Sequence, residues 1–264
     1  MDDNFEVAHR TRARKRKSFS IETPSYVANV LFLEKNIVFS NKVHYYQKNV
    51  YVQTYGTEWA ISFADLPANR VKLRSGNNLI PLQGPTLIFQ APFSILEFHV
   101  EEGPLRWGYI GSTIKCPIEI NGCRIVSQND VKNLFNQKHV LEMLMALKAG
   151  QIVIQEKNKS AVSEKLKECL DNNYTENLNI ADFAKKLKIS RVVMTRSFSL
   201  TYGISPVEYR TKLRLFRALA FMREGLSITE ASYLVGFSNP SLFIRSFKKH
   251  LNATPHQYKS KIHL

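Results

Sequence analysis

The chain has 264 residues, 44% of them hydrophobic, which is enough for one large domain or two modest ones with proper cores. No apolar run approaches the roughly 18 residues of a membrane span, and the first residues, acidic and then basic with no apolar stretch before a cleavage-like site, read as those of a cytoplasmic rather than secreted chain. Net charge is +15 and unevenly spread: from Lys167 to the end, 16 Lys or Arg face 7 Asp or Glu, a basic surface that would concentrate a polyanion and release it as salt rises.

In chain order, residues 1–20 form a basic tail with Arg10, Arg12, Arg14, Lys15, Arg16 and Lys17, expected to be solvated and disordered. Residues 21–128 are β-rich. Val27–Leu33, Val50–Tyr55, Ala60–Phe63, Asn78–Leu82, Thr86–Gln90 and Ile95–Val100 read as short strands, punctuated at Leu66-Pro67, Gly76-Asn77, Gly84-Pro85 and Ala91-Pro92. A compact β-sandwich or barrel is predicted. Tyr45, Tyr46, Tyr51, Tyr55, Trp59, Phe63, Phe89, Phe93, Phe98 and Trp107 either fill its core or line an effector cavity, with Arg70, Arg74 or Arg106 available for an anion. Cys116, Cys123 and Cys169 are odd in number, widely spaced and without zinc-like clustering, so reduced thiols and no metal are expected.

Residues 129–158 connect the halves. Asp130–Lys148 carries Val131, Leu134, Phe135, Leu141, Leu144, Met145 and Leu147, a face that either intramolecular packing or dimerisation would bury. Ala161–Leu170 is a second amphipathic segment, opening a last region over 159–264.

That region holds a repeat. Arg196-x-Phe198-x4-Gly203-x-Ser205-Pro206-x2-Tyr209 returns 49 residues later as Arg245-x-Phe247-x4-Asn252-x-Thr254-Pro255-x2-Tyr258, and a repeat of this kind marks one supersecondary unit per copy. Each copy reads as helix, turn, helix. In the first, Ile180, Phe183, Ala184 and Leu187 share a face, and Ser190 caps a helix that buries Val193, Met194 and Phe198. In the second, Ile228, Ala231, Ser232 and Val235 precede Gly236, a turn position suited to positive φ, and Ser238 precedes a helix with Leu242, Phe243 and Phe247. Between them, Ser205 caps and Pro206 begins a long helix through Met222, stopped by Gly225. Such a rod would hold two units at fixed distance and phase, as successive major grooves require.

These motifs resemble the DNA-binding domain of AraC/XylS-family transcription regulators. The concluding segment of that family is matched by Gly236, Phe237, Ser241, Phe243, Arg245, Phe247, Lys248, Lys249, Thr254, Pro255 and Tyr258, with Asn252 at the usual glycine position. The resemblance covers roughly the last 105 residues. It implies a two-domain α+β chain: an N-terminal cupin-like sensor or oligomerisation domain and a C-terminal all-α double helix-turn-helix. The paired His followed by Glu of metal-binding cupins is missing, and no cofactor is expected.

The implied function is sequence-specific binding of double-stranded promoter DNA, with activation as the favoured output; a low-specificity architectural DNA-binding protein is the alternative. Base-contact candidates are Arg191, Val192, Thr195 and Arg196 in the first unit and Asn239, Pro240, Ser241, Ile244 and Arg245 in the second; Lys248 and Lys249 are candidates for phosphate. Arg can fork onto guanine, Asn onto adenine, and Val or Ile can pack on a thymine methyl. Expected partners are promoter DNA, RNA polymerase, a small-molecule effector and a second copy, with no membrane and with nucleoid association when bound. No nucleophile, metal box or phosphate loop is recognisable, so an enzyme is not expected.

Overall fold

A computed structural model describes residues 18–23, 26–34, 37–127, 129–135, 139–150, 152–155, 159–177 and 179–262. The basic run His9–Lys17 lies outside them. The N-terminal half contains β1 (Ser18–Thr23), β2 (Tyr26–Glu34), β3 (Ile37–Tyr46), β4 (Asn49–Gln53), β5 (Trp59–Ser75), β6 (Asn78–Gln90), β7 (Leu96–Val100), β8 (Gly103–Ser112) and β9 (Arg124–Ser127). A 3-10 turn, Asn129–Leu134, then leads to α1 (Val140–Ala149) and β10 (Ile152–Val153). The C-terminal half is helical: α2 (Ala161–Asn173), α3 (Ile180–Lys186), α4 (Arg191–Tyr202), α5 (Pro206–Arg223), α6 (Ile228–Leu234), α7 (Pro240–Leu251) and α8 (Pro255–Ile262). No helix of the described residues is long and apolar enough to cross a membrane.

The two-domain α+β division holds, but the predicted closed, cupin-like barrel does not. The antiparallel sheet runs β1-β2-β3-β8-β5-β6-β9-β10, with β7 joining β4 to β5, and its two ends do not meet. Closure requires the last strand to bond the first. Here β10 has two residues and pairs with β9, while β1 pairs with β2 and runs past α8. The sheet curls by a bulge: Pro67–Arg70 loop out between the Leu66↔Gly84 and Val71↔Leu82 pairs, with Asn69 at φ +62°, and beyond it β5 changes partner from β8 to β7.

Each face of the sheet is covered. One buries Leu66, Leu73, Leu82, Phe98, Val100 and Trp107 together; the other packs Trp59, Ile61, Phe63, Phe89 and Ile110 against Met143, Leu144 and Leu147 of α1. α1 is thus an intramolecular cover, although Leu141 and Met145 remain more than half exposed. The aromatic residues singled out from sequence divide accordingly. Trp59, Phe63 and Phe89 face α1, and Tyr45 is exposed.

The helical half has two cores. Leu166 and Leu170 of α2 join Ile180, Ala184, Met194, Phe198, Tyr202 and Tyr209 in the first; Leu215, Leu219, Met222, Ala231, Phe237, Phe243, Phe247 and Tyr258 form the second. Val38 of β3 enters the second core, so the halves share apolar surface.

Candidate nucleic-acid interface

The two copies of the sequence repeat fold as two helix-turn-helix units, α3-α4 and α6-α7, joined by α5. Their caps follow from the chemistry of their first residues: Ser190 Oγ accepts from Val193 N at 3.2 Å, and Ser205 Oγ accepts from Glu208 N at 3.2 Å ahead of Pro206. Ser227 and Glu230 form a reciprocal capping box on α6. The turns match as well. Lys188 has φ +56° and its counterpart Gly236 +88°; Gly203 has +69° and its counterpart Asn252 +55°. Both copies therefore demand left-handed residues at the same two points, and Lys and Asn each adopt that conformation once.

Gly236 carries a second constraint. A Cβ there would collide with Thr175 O and with the guanidinium of Arg214. Arg214, buried in α5, donates to Tyr174 O at 2.6 Å and Glu176 O at 2.8 Å, tying the α2-α3 loop against the second unit. Burial lowers its pKa to about 10, leaving it charged at neutral pH.

On α4, Met194, Phe198 and Tyr202 form the inner stripe at four-residue steps. Arg191, Val192 and Arg196 are exposed and Thr195 half-buried, all on the outer side. Val193, expected inside, is 55% exposed because it lies about 100° around the helix from Met194. On α7, Phe243 and Phe247 point inward and Ser241, Ile244, Arg245, Lys248 and Lys249 outward. Leu242 is 41% exposed, unlike Phe243 beside it. Neither Arg191, Arg196 nor Arg245 makes an ion pair among the described residues, so their charge faces solvent.

The cap of α7 is Asn239, not Ser238. Asn239 Oδ1 accepts from Leu242 N at 2.8 Å, and Pro240 occupies the first turn. A forked pair with adenine needs that same oxygen, so capping and adenine readout compete for it.

The sheet domain grips α5 along one stripe. Tyr209 Oη lies 3.2 Å from Phe93 O, Lys212 donates to Val52 O at 3.0 Å, Gly56 packs on Leu213, and Tyr55 meets Phe216 edge-on with centroids 5.3 Å apart. At the far end Arg223 and Glu58 form a buried ion pair, and Tyr109 Oη donates to the other Glu58 oxygen at 2.8 Å. Burial works against the Arg223 charge, but the Glu58 carboxylate holds its pKa above the ordinary value.

Beside this stripe an interdomain cavity of about 430 Å³ opens, with an aromatic recess behind it. Tyr46, Tyr51 and Tyr55 line both; Phe98 and Trp107 line the recess. Its cations are not the arginines expected: Arg74 pairs with Glu97 at 2.6 Å and Arg70 donates to Glu101 O at 3.4 Å. Lys42 and Lys212 take that place, with His44, His250 and Lys249, the last of which was expected on phosphate. Burial brings the Lys42 pKa down to about 8 and also lowers those of Lys212, His44 and His250. Lys42, His44 and Tyr46 alternate along β3, and reading that segment at period two would have placed them on one face. No group of three or more His, Cys, Asp or Glu able to hold a metal occurs among the described residues.

Residues 183–261 match the helix-turn-helix domain family. Over 138 residues the chain is 24% identical to the lactose operon transcription activator of Staphylococcus xylosus, covering 51% of this chain and 50% of that protein. Over 112 residues it is 30% identical to the Msm operon regulatory protein of Streptococcus mutans, covering 41% and 40%. Over 149 residues it is 25% identical to Histidine kinase P4 of Formosa agariphila, covering 56% of this chain and 11% of that much longer protein. The chain thus spans about half, or less, of these relatives. With two capped units on one connecting helix and this sequence kinship, the C-terminal region belongs to the helix-turn-helix domain of AraC/XylS-family transcription regulators.

Proposed function

We propose that the chain is a sequence-specific, double-stranded DNA-binding transcription regulator acting as an activator in the cytoplasm. The observation that carries this is the pair of recognition helices, α4 and α7, held by the single helix α5 with outward Arg191, Arg196, Arg245, Lys248 and Lys249. Held in phase, they would enter successive major grooves. Lys248 and Lys249 would set register on phosphates, while Arg191, Val192, Thr195, Arg196, Ser241, Ile244 and Arg245 would read bases. RNA polymerase and a second copy of the chain are the protein partners of this reading.

The interdomain cavity supports effector control. Lysines at both domain surfaces and an aromatic recess suit an anion with an apolar body. Such a ligand controls DNA binding only by favouring one arrangement of the halves.

Genome-wide occupancy in the source cell tests the reading. A compact set of promoter peaks sharing one motif is expected, and Arg196→Ala should lose them while keeping its helical circular dichroism. Broad, sequence-poor occupancy would overturn it in favour of an architectural DNA-binding protein.

A further inference from the structure

Val193 and Leu242 occupy equivalent positions of the two recognition helices, 49 residues apart in the register of the repeat. Both stand outside the cores, 55% and 41% exposed. At other positions exposed in both helices the chemistry changes between the copies: Val192 becomes Ser241, and Leu200 becomes Lys249. It is kept at Arg196 and Arg245, and at Val193 and Leu242. The fold does not demand the second agreement, because the inner stripes are Met194 and Phe198 on α4 and Phe243 and Phe247 on α7. Nor does it serve the first helix, since a β-branched valine on an exposed face forms helix less well than alanine or lysine. What the two helices meet is left to account for it.

Each aliphatic residue lies three positions before its arginine. Side chains at that spacing are neighbours on a helix surface, about 5–6 Å apart at Cβ. Base pairs follow one another every ~3.4 Å along a duplex. An arginine forked onto guanine O6 and N7 therefore brings the aliphatic group over a base one or two steps away. The apolar group that base edges offer in the major groove is the 5-methyl of thymine. An arginine beside each aliphatic residue, and 16 Lys or Arg against 7 Asp or Glu from Lys167 onward, favour a polyanion over an apolar protein surface as the occupant.

We propose that Val193 and Leu242 are specificity-determining residues, each packing on a thymine methyl close beside the guanine taken by Arg196 or Arg245. The inference rests on the reading of α4 and α7 as major-groove helices. Both half-sites would then hold a guanine with a thymine next to it or one pair beyond, while differing where Val192 and Ser241 reach.

The full chain is first used to select duplexes from a pool randomised over about 20 base pairs, two helical turns. The selected duplex is then titrated with the chain by fluorescence anisotropy, each thymine replaced in turn by deoxyuridine, which removes only the methyl. One replacement in each half-site is expected to weaken binding about threefold, as for one buried methyl group. Val193→Ala should erase that penalty in one half-site and Leu242→Ala in the other, each binding the thymine duplex as weakly as the wild type binds the deoxyuridine one. Both exchanges fall at exposed positions, so the Tm of the free chain should stay the same or rise. Deoxyuridine tolerated at every thymine, or penalties that persist in both variants, would overturn the proposal while leaving DNA recognition intact. Variants that lose affinity equally for thymine and deoxyuridine duplexes and sediment as a smaller species would assign this face to a second copy of the chain, and so overturn it too. Selection that yields no shared motif would reject the major-groove reading itself, and this inference with it.

Discussion

At Gly236 two constraints coincide: a φ of +88° and a backbone oxygen, Thr175 O, inside contact distance of any Cβ. Gly236→Ala is therefore expected to cost about 2 kcal/mol or more in urea unfolding. A neutral variant would mean that the α2-α3 loop moves freely. Lys42 makes a different prediction, because its folded pKa of about 8 lies below its ordinary 10.5. Between those values the unfolded chain binds more protons than the folded one, so stability from this group rises with pH across that window and is lowest below it. Lys42→Met should accordingly raise Tm at pH 7 and gain little near pH 10.5. An equal gain at both pH values would remove the charge from the explanation. The cavity lysines show why this site was hard to see in sequence. Lys42 and Lys212 are separated by the whole domain boundary, and only the docking of α5 on β3 and β4 brings them to one space.

The helices were largely legible from the chain because their signals are local. Ser190, Ser205 with Pro206, the paired left-handed positions and the four-residue steps of Met194, Phe198 and Phe243, Phe247 each act within a turn or two. Strands were less legible. Leu66-Pro67 and Gly84-Pro85 read as turns, yet both lie inside long strands, because a bulge with Asn69 at positive φ absorbs them while pairing resumes beyond. β3 and β8 pair with each other over ten residues and were not anticipated, β8 even opening on Gly103-Pro104. The closed barrel failed for a related reason: closure depends on whether distant edges meet, and no local pattern encodes that. At this scale Phe247→Asp should unravel the second unit, since a carboxylate would replace a fully buried ring touching Phe243 and Tyr258. A loss of about 4 kcal/mol or more and reduced helical signal are expected; cooperative unfolding at the original midpoint would reject the core assignment.

For the whole molecule, the contact between halves is dominated by one helix. Arg223→Met leaves Glu58 buried without its cation and should destabilise by roughly 3 kcal/mol, whereas Glu58→Gln with Arg223→Met should recover much of that loss. Urea unfolding of the single and double variants measures the difference; additive losses would show that the pair is not coupled. The stripe from Tyr209 to Arg223 lies on the same rod that carries both recognition helices. The sheet thus reaches the two readers through one shared rod as well as through its own contacts at the end of α4 and beside α8, so a shift of the rod moves both readers together.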